Sequence, residues 1–267
     1  MAIVWIQSWP VRVRSPVDFR LRRENGSTPV NASSSTPRGV ALVTGANRGL
    51  GFATCRRLGQ LGFAVVLTAR DESRAVAAAK VLREEGLDVR SAVLDVASDE
   101  SIRSCLDELS NVVPQVDVLV NNAGVLFDWE SDVFELEAEV LARTLSVNLY
   151  GPLRMCQALV PGMRTRGRGH VVNVSSDSGQ LETMSAISPA YSISKVALNA
   201  VTRIVAAAAG PRVKVNSIHP GWVATDMGGE GADTTPEQAA RHVADLATLP
   251  ADGPTGGFYF AGEPFPW

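Results

Sequence analysis

The sequence predicts an α/β fold, a doubly wound parallel sheet of about seven strands with helices on both faces. Three observations predict it. Short apolar, β-branched runs recur along the chain, helical stretches long enough for crossover connections separate them, and a glycine-rich turn joins the first run to the first helical stretch. The runs are Val40–Thr44, Ala64–Ala69, Val89–Val96, Val116–Val120, His170–Ser175, Val213–Ile218 and Gly257–Phe260. Continuous apolar runs among them suit strands covered on both faces. No internal repeat and no second domain interrupts residues 39–267.

The composition is that of a globular protein able to build a buried core. Of 267 residues, 45% are hydrophobic and 20% charged, and the net charge is −3. Such a balance gives no basic footprint for nucleic acid. The longest apolar candidate for a membrane span, Val196–Ala209, is interrupted by Asn199, Thr202 and Arg203. The expectation is therefore a cytoplasmic protein with neither nucleic acid nor membrane as partner. Cys55, Cys105 and Cys156 sit alone in apolar segments and read as small buried hydrophobes. His170, His219 and His242 are equally scattered, so no metal site is assigned.

Residues 1–38 differ from the rest. Arginines 12, 14, 20, 22, 23 and 38 face only Asp18 and Glu24, and Asn25 to Arg38 is rich in Ser, Thr, Pro and Asn. Such a segment buries too little surface to offset its ordering entropy. It reads as a flexible extension, with an organelle transit segment and a start-site error as alternatives. Asn25-Gly-Ser and Asn31-Ala-Ser match the glycosylation sequon, with no secretory signal to give the match weight.

Thr44-Gly-Ala-Asn-Arg-Gly-Leu-Gly51 lies between a strand and a helix. In that setting glycines let the backbone approach a pyrophosphate, which the helix N-terminus then holds, as in the Rossmann dinucleotide fold. The cradle comprises Gly45, Asn47, Arg48, Gly49, Leu50 and Gly51. At the end of the second strand an acidic residue would bind the ribose 2′-hydroxyl of NAD, whereas an Arg accommodates the 2′-phosphate of NADP. Here Ala69 stands in the acid's place and Arg70 follows, with Arg48 able to face the same pocket. Two guanidiniums near one phosphate form a plausible clamp, so the expected cofactor is NADPH/NADP+. Asp71 reads as the N-cap of the next helix.

Tyr191-Ser-Ile-Ser-Lys195 opens a long helical stretch, and a spacing of four puts both side chains on one face. Tyrosine, with a reference pKa of about 10, is a poor acid–base catalyst at neutral pH. A neighbouring ammonium lowers that value towards the working range. Upstream, Val171-Val-Asn-Val-Ser-Ser176 is a buried strand ending in hydroxyls, at the sheet edge where ligands bind in this architecture.

The order Thr44–Gly51, Asn121-Asn-Ala-Gly124, Asn148, Ser176, Tyr191 with Lys195, and Pro220-Gly221 resembles the short-chain dehydrogenases/reductases, over about residues 39–267. The resemblance implies that Tyr191 is the catalytic acid/base, that Lys195 lowers its pKa and binds the nicotinamide ribose, that Ser176 orients the substrate, and that Asn148 holds a water in the proton relay. It also implies cofactor contacts from Asp95, Val96, Asn122, Ala123, Gly124, Pro220, Gly221, Val223 and Thr225, beside the glycine loop, Arg70, Tyr191 and Lys195. Ser178 competes for the serine's role because it lies thirteen residues before Tyr191, the commoner spacing. The Ser-Ser-x-x-Gly pattern of residues 175–179 favours Ser176.

His219-Pro-Gly-Trp-Val-Ala-Thr-Asp-Met227, Leu246–Pro250, Gly253–Phe258 and Pro264-Phe-Pro-Trp267 resemble the carbonyl-reductase branch of that family. That branch reduces ketones, aldehydes and quinones with NADPH, so the expected substrate is a small-molecule carbonyl or alcohol. The gap between Ser176 and Tyr191 is short, where many members of the branch carry a long insertion that keeps them monomeric. A homodimer or homotetramer is the resulting expectation. Asp226–Thr235 is Gly-rich with few apolar groups, and reads as a short mobile lid without selective pocket chemistry. Two other classes share these motifs: a non-catalytic NADPH-binding sensor, and an epimerase or dehydratase. The first is disfavoured by the intact catalytic positions, the second by the wide glycine spacing and the lack of room for a larger C-terminal substrate domain.

Overall fold

Every apolar run singled out in the sequence forms a strand of one sheet: β1 (Val40–Val43), β2 (Ala64–Ala69), β3 (Val89–Val93), β4 (Val118–Asn121), β5 (Gly169–Val174), β6 (Val213–His219) and β7 (Phe258–Phe260). The computed structural model describes residues 37–113, 115–229 and 231–267. The expected N-terminal extension, with its arginines and two sequons, lies outside the described residues but for residues 37 and 38. Arg38 is already docked, its N–H donating to Gly62 O at 2.9 Å and its guanidinium lying over the Phe63 ring.

The strand order is β3-β2-β1-β4-β5-β6-β7, all parallel, and β8 (Glu263–Pro264) adds antiparallel to β7. That eighth strand escapes sequence reading because two residues, one a proline, carry neither periodicity nor β-branched character. Strands leave β1 in one direction and β4 in the other. A crevice therefore opens between them at the C-terminal edge, where ligands bind in such sheets.

Seven helices connect the strands: α1 (Gly49–Gln60), α2 (Glu72–Glu84), α3 (Asp99–Ser110), α4 (Ala138–Leu145), α5 (Gly151–Arg166), α6 (Pro189–Ala209) and α7 (Pro236–Ala247). One core packs α1, α2 and α7 on one face of the sheet through residues such as Leu58, Leu82 and Leu246. The other packs α3, α5 and α6 on the opposite face around Leu119, Met155 and Met163. Helix α7 starts with Pro236 after a reciprocal cap in which Thr235 Oγ1 accepts the Gln238 N–H and Gln238 Oε1 accepts the Thr235 N–H. The three cysteines are buried and unpaired, as expected. Burial pushes the Cys105 thiol up to about 11, with a smaller push from Glu108, and burial raises Cys156 to about 12.

Helix α6 is long and apolar enough to cross a membrane by length and composition, and here it lies against the sheet. A buried polar chain fixes it there. Asn121 Nδ2 donates to Asn173 Oδ1 at 2.8 Å, Asn173 Nδ2 donates to Thr202 Oγ1 at 2.8 Å, and Thr202 Oγ1 and Ser217 Oγ lie 2.7 Å apart. The chain thus ties β4, β5 and β6 to the middle of α6, directly below the crevice. Buried polar groups so paired specify one packing, because any slip leaves them unsatisfied.

Candidate active site

A cavity of about 870 Å³ opens at the C-terminal edge of the sheet, within the size range of small-molecule sites. Every site residue singled out in the sequence lines it except Asn148.

Its floor on the β1 side is the glycine loop, and the geometry shows why glycines stand there. Gly45 and Gly49 have φ of +61° and +56°, a region that disfavours side chains. A Cβ on Gly51 would lie 2.5 Å from Asn122 Nδ2 and 2.8 Å from Ala46 Cα. The loop is held from beneath. Asn122 Nδ2 donates to the carbonyls of Thr44 and Gly45 at 2.9 and 3.0 Å, and Thr44 Oγ1 accepts the N–H groups of Asn122 and Ala123, each at 3.0 Å. Thr44, not singled out as a site residue, thus joins β1 to the β4 turn. Helix α1 has no side-chain cap and no acid in its first turn, whereas Asp71, Ser98 and Thr235 cap α2, α3 and α7. The first-turn N–H groups of α1 therefore remain for an anion.

The arginine clamp is only half present. Arg70 is exposed at the cavity rim after β2, and Asp71 caps α2 by accepting the Arg74 N–H at 2.9 Å. Arg48, in contrast, is ion-paired with Asp226 across the cavity mouth. A carboxylate seven-tenths exposed competes there for the guanidinium, a partner that no local sequence pattern announces. On the far rim, Ala97 N–H donates to Asp95 Oδ1 at 2.9 Å, while Val96 packs against Gly151 at the start of α5. The segment after β6 turns at Gly221 (φ +88°) and places Thr225 against Gly49.

Tyr191 and Lys195 share one face of α6, as their spacing requires. The Ser176 hydroxyl, rather than that of Ser178, acts on the Tyr191 phenol and draws its pKa down. Ser178 contributes its N–H, donated to Ser176 Oγ at 3.2 Å. Gly179 allows this turn to press on α6, since a Cβ there would lie 3.0 Å from the Lys195 carbonyl carbon. Lys195 Nζ donates to Val174 O at 2.9 Å and stands 5.3 Å from the Tyr191 ring centroid, over the ring.

The expected lowering of the tyrosine pKa is not found. Burial pushes Tyr191 up to about 12, a Ser176 hydrogen bond pulling it down and the Asp177 charge adding to the rise. Burial also pushes Lys195 down to about 8. Desolvation exceeds attraction because the ammonium faces the ring and the Val174 carbonyl instead of the phenol oxygen.

Asn148 sits in a single π-turn, Ser146–Tyr150, between α4 and α5. Such bulges cluster at functional sites. Its side chain is fully engaged: Oδ1 accepts Val125 N–H at 2.8 Å, and Nδ2 donates to Val125 O at 2.9 Å and Ser194 Oγ at 3.0 Å. Ser194 Oγ in turn donates to Tyr191 O at 2.6 Å. The asparagine side chain therefore braces α6 from behind the cavity wall.

Two supporting residues are invisible in the sequence. Asp128, 1% exposed, accepts the Ala190 N–H at 2.6 Å and the Tyr191 N–H at 3.4 Å, capping α6 from a loop 62 residues away. His219, in a strand-end position, accepts the Asp177 N–H through Nδ1 at 3.2 Å and stacks on Phe260 at 4.8 Å between centroids. Behind it, Phe265 packs edge-on to Phe258, and Gln180 Nε2 reaches Pro266 O at 3.3 Å.

The loop expected to be a mobile lid is cross-braced. Ala224 N–H donates to Thr234 O at 2.9 Å, Thr234 N–H to Trp222 O at 3.1 Å, and Trp222 Nε1 to Gly228 O at 2.7 Å. It also brings Trp222 and Met227 to the cavity, opposite Trp129 and Ile187.

Two measurements test this geometry. Asp128→Ala strips the α6 cap and should lower unfolding stability by about 1–2 kcal/mol in a denaturant titration, with Asp128→Asn losing less. Lys195, with its folded pKa lowered from 10.5 to about 8, binds fewer protons folded than unfolded between those values. Stability relative to a Lys195→Met variant should therefore rise as pH increases from about 8 to 10.5. A flat difference across that window contradicts a buried, unpaired ammonium.

A family model described as short chain dehydrogenase matches residues 39–235. Rat carbonyl reductase [NADPH] 1 is 36% identical over 283 aligned residues, covering 87% of this chain and all of that protein. The alignment is longer than this chain, so the rat protein carries segments this chain lacks, in keeping with the short gap between Ser176 and Tyr191. The (+)-neomenthol dehydrogenase of Arabidopsis thaliana is 31% identical, covering 86% of this chain and 97% of its own. Among solved structures, a gluconate 5-dehydrogenase from Burkholderia cenocepacia, in complex with NADP and tartrate, superposes with a TM-score of 0.77 at 26% identity, over 84% of this chain and 94% of that one. With the glycine cradle, the serine and tyrosine of one cavity and the parallel sheet on the page, these matches establish that the chain belongs to the short-chain dehydrogenase family.

Proposed function

We propose that the protein is an NADPH-dependent reductase of ketones, aldehydes or quinones, in which Tyr191 gives the proton to the carbonyl oxygen. The observation that carries this reading is that Tyr191, Ser176 and Lys195 line one cavity together with the glycine loop. Two hydroxyls thus converge on the place where one oxygen of a substrate would develop negative charge.

The residues present fit NADP(H). The glycine loop leaves no room for side chains against a pyrophosphate, α1 offers uncapped N–H groups, and Arg70 stands on the rim for a 2′-phosphate. When bound, NADPH supplies the hydride. Lys195, 5% exposed and close to Gly124, is available to the nicotinamide ribose. Tyr191 remains protonated at neutral pH because burial holds its pKa near 12, which suits a proton donor in the reducing direction. Asn148 contributes by holding the first turn of α6 through Ser194.

Tyr191→Phe should lower turnover by about 10²–10⁴-fold, the usual worth of a positioned acid, and leave NADPH affinity nearly unchanged by titration of nicotinamide fluorescence. Full turnover in that variant removes the tyrosine from the mechanism. Arg70→Ala should weaken NADPH binding more than NADH binding. Equal losses for the two would remove the 2′-phosphate assignment.

A further inference from the structure

Asp177 stands next to the reacting position, and the reading above gives it no role. Its Oδ1 accepts the Ser176 hydroxyl at 2.8 Å and the Ser178 N–H at 2.8 Å, while its side chain lines the cavity and stays exposed. Among the described residues no lysine or arginine pairs with it: Arg48 holds Asp226, and Lys195 donates to Val174 O. The adjacent imidazole gives no compensating charge, because His219 Nδ1 is an acceptor for the Asp177 N–H and burial lowers its pKa. Around the same cavity Trp129, Trp222 and Phe260 keep 65%, 56% and 40% of their surface exposed.

This arrangement handicaps a neutral ketone twice. Negative charge builds on the substrate oxygen one hydrogen bond from an uncompensated carboxylate, which opposes it. The serine hydroxyl that should support that oxygen has its single proton committed to Asp177 Oδ1. A cation on the substrate relieves both. It neutralises the carboxylate, and by drawing on its charge it weakens the hold of Oδ1 on the serine hydroxyl, which is then freer to turn to the carbonyl oxygen. Exposed indole faces favour a cation in the same space.

We propose that the preferred substrate is an amino ketone or amino aldehyde, with its protonated amine close to the carbonyl, and that Asp177 is the residue that selects it. The inference rests on the reductase reading. The carbonyl carbon gains the hydride from NADPH, the oxygen gains the proton from Tyr191, and the ammonium keeps its protons throughout.

The test uses three ketones of matched size, carrying a dimethylammonium, an isopropyl or a carboxylate group beside the carbonyl, with NADPH and the full-length protein. Expected kcat/KM falls in that order, the cation exceeding the neutral ketone by at least about tenfold, the scale of a charge-assisted hydrogen bond. In Asp177→Asn the cation-to-neutral ratio should collapse to within about twofold. The comparison within the unaltered protein stands whether or not that variant folds. Equal or better turnover of the isopropyl ketone by the unaltered protein overturns the inference and leaves the reductase reading intact. Persistence of the full ratio in a folded Asp177→Asn protein removes Asp177 as the selector. Failure to turn over any of the three, while an aldehyde or quinone is reduced, overturns the inference alone; failure with all of these carbonyls overturns the reductase reading with it.

Discussion

Helix α6 is tied at its first turn by the Asp128 carboxylate and in its middle by the buried chain from Asn121 through Asn173 to Thr202. Between these points Lys195 is anchored to Val174 O, and Asn199 Nδ2 donates to Gly179 O at 3.2 Å. Tyr191 is carried to the Ser176 end of β5 because α6 is fastened to β5 at Val174 and Asn173 and to the loop after β4 at Asp128. Each tie is a buried polar group whose loss of partner is costly. The geometry is therefore fixed before any ligand arrives, and preorganisation of this kind is what gives hydrogen-bond donors their catalytic value.

The same burial sets the electrostatics. A phenolate and an ammonium brought together on one helix face would stabilise each other's charges. Here removal from water disfavours both charged forms, driving the tyrosine up and the lysine down. Spacing on a helix reports that two side chains share a face, but says nothing of which atoms face each other. The ammonium turns towards a strand carbonyl and the ring face, so the pair is a neutral phenol beside an ammonium whose pKa burial has lowered.

What the sequence made legible follows a physical rule. Strands β1, β2 and β4 were readable because strands covered on both faces are almost continuously apolar, and the glycine loop because close backbone approach excludes side chains. Both are properties of a single segment. Asp128, His219 and the Arg48–Asp226 pair were not readable, because each acts on a partner brought to it by the fold. Asp128 meets α6 across 62 residues of chain, and His219 meets Asp177 across 42. Asp226–Thr235 was misread for a related reason. Its composition is that of a flexible loop, yet its backbone pairs with that of Trp222–Ala224 around the turn.

Helix α1, whose N-terminus faces the cavity, finds its main packing partner in α7. These helices are separated by most of the chain, since α1 ends at Gln60 and α7 begins at Pro236. Strands β1 and β2 cover part of the apolar side of α1, and the rest stays wet until α7 has been made and docked. Closing so long a loop is slow and must precede the contacts that reward it. During synthesis the glycine motif therefore gains its hold from the β4 turn well before the helix behind it gains its last packing partner.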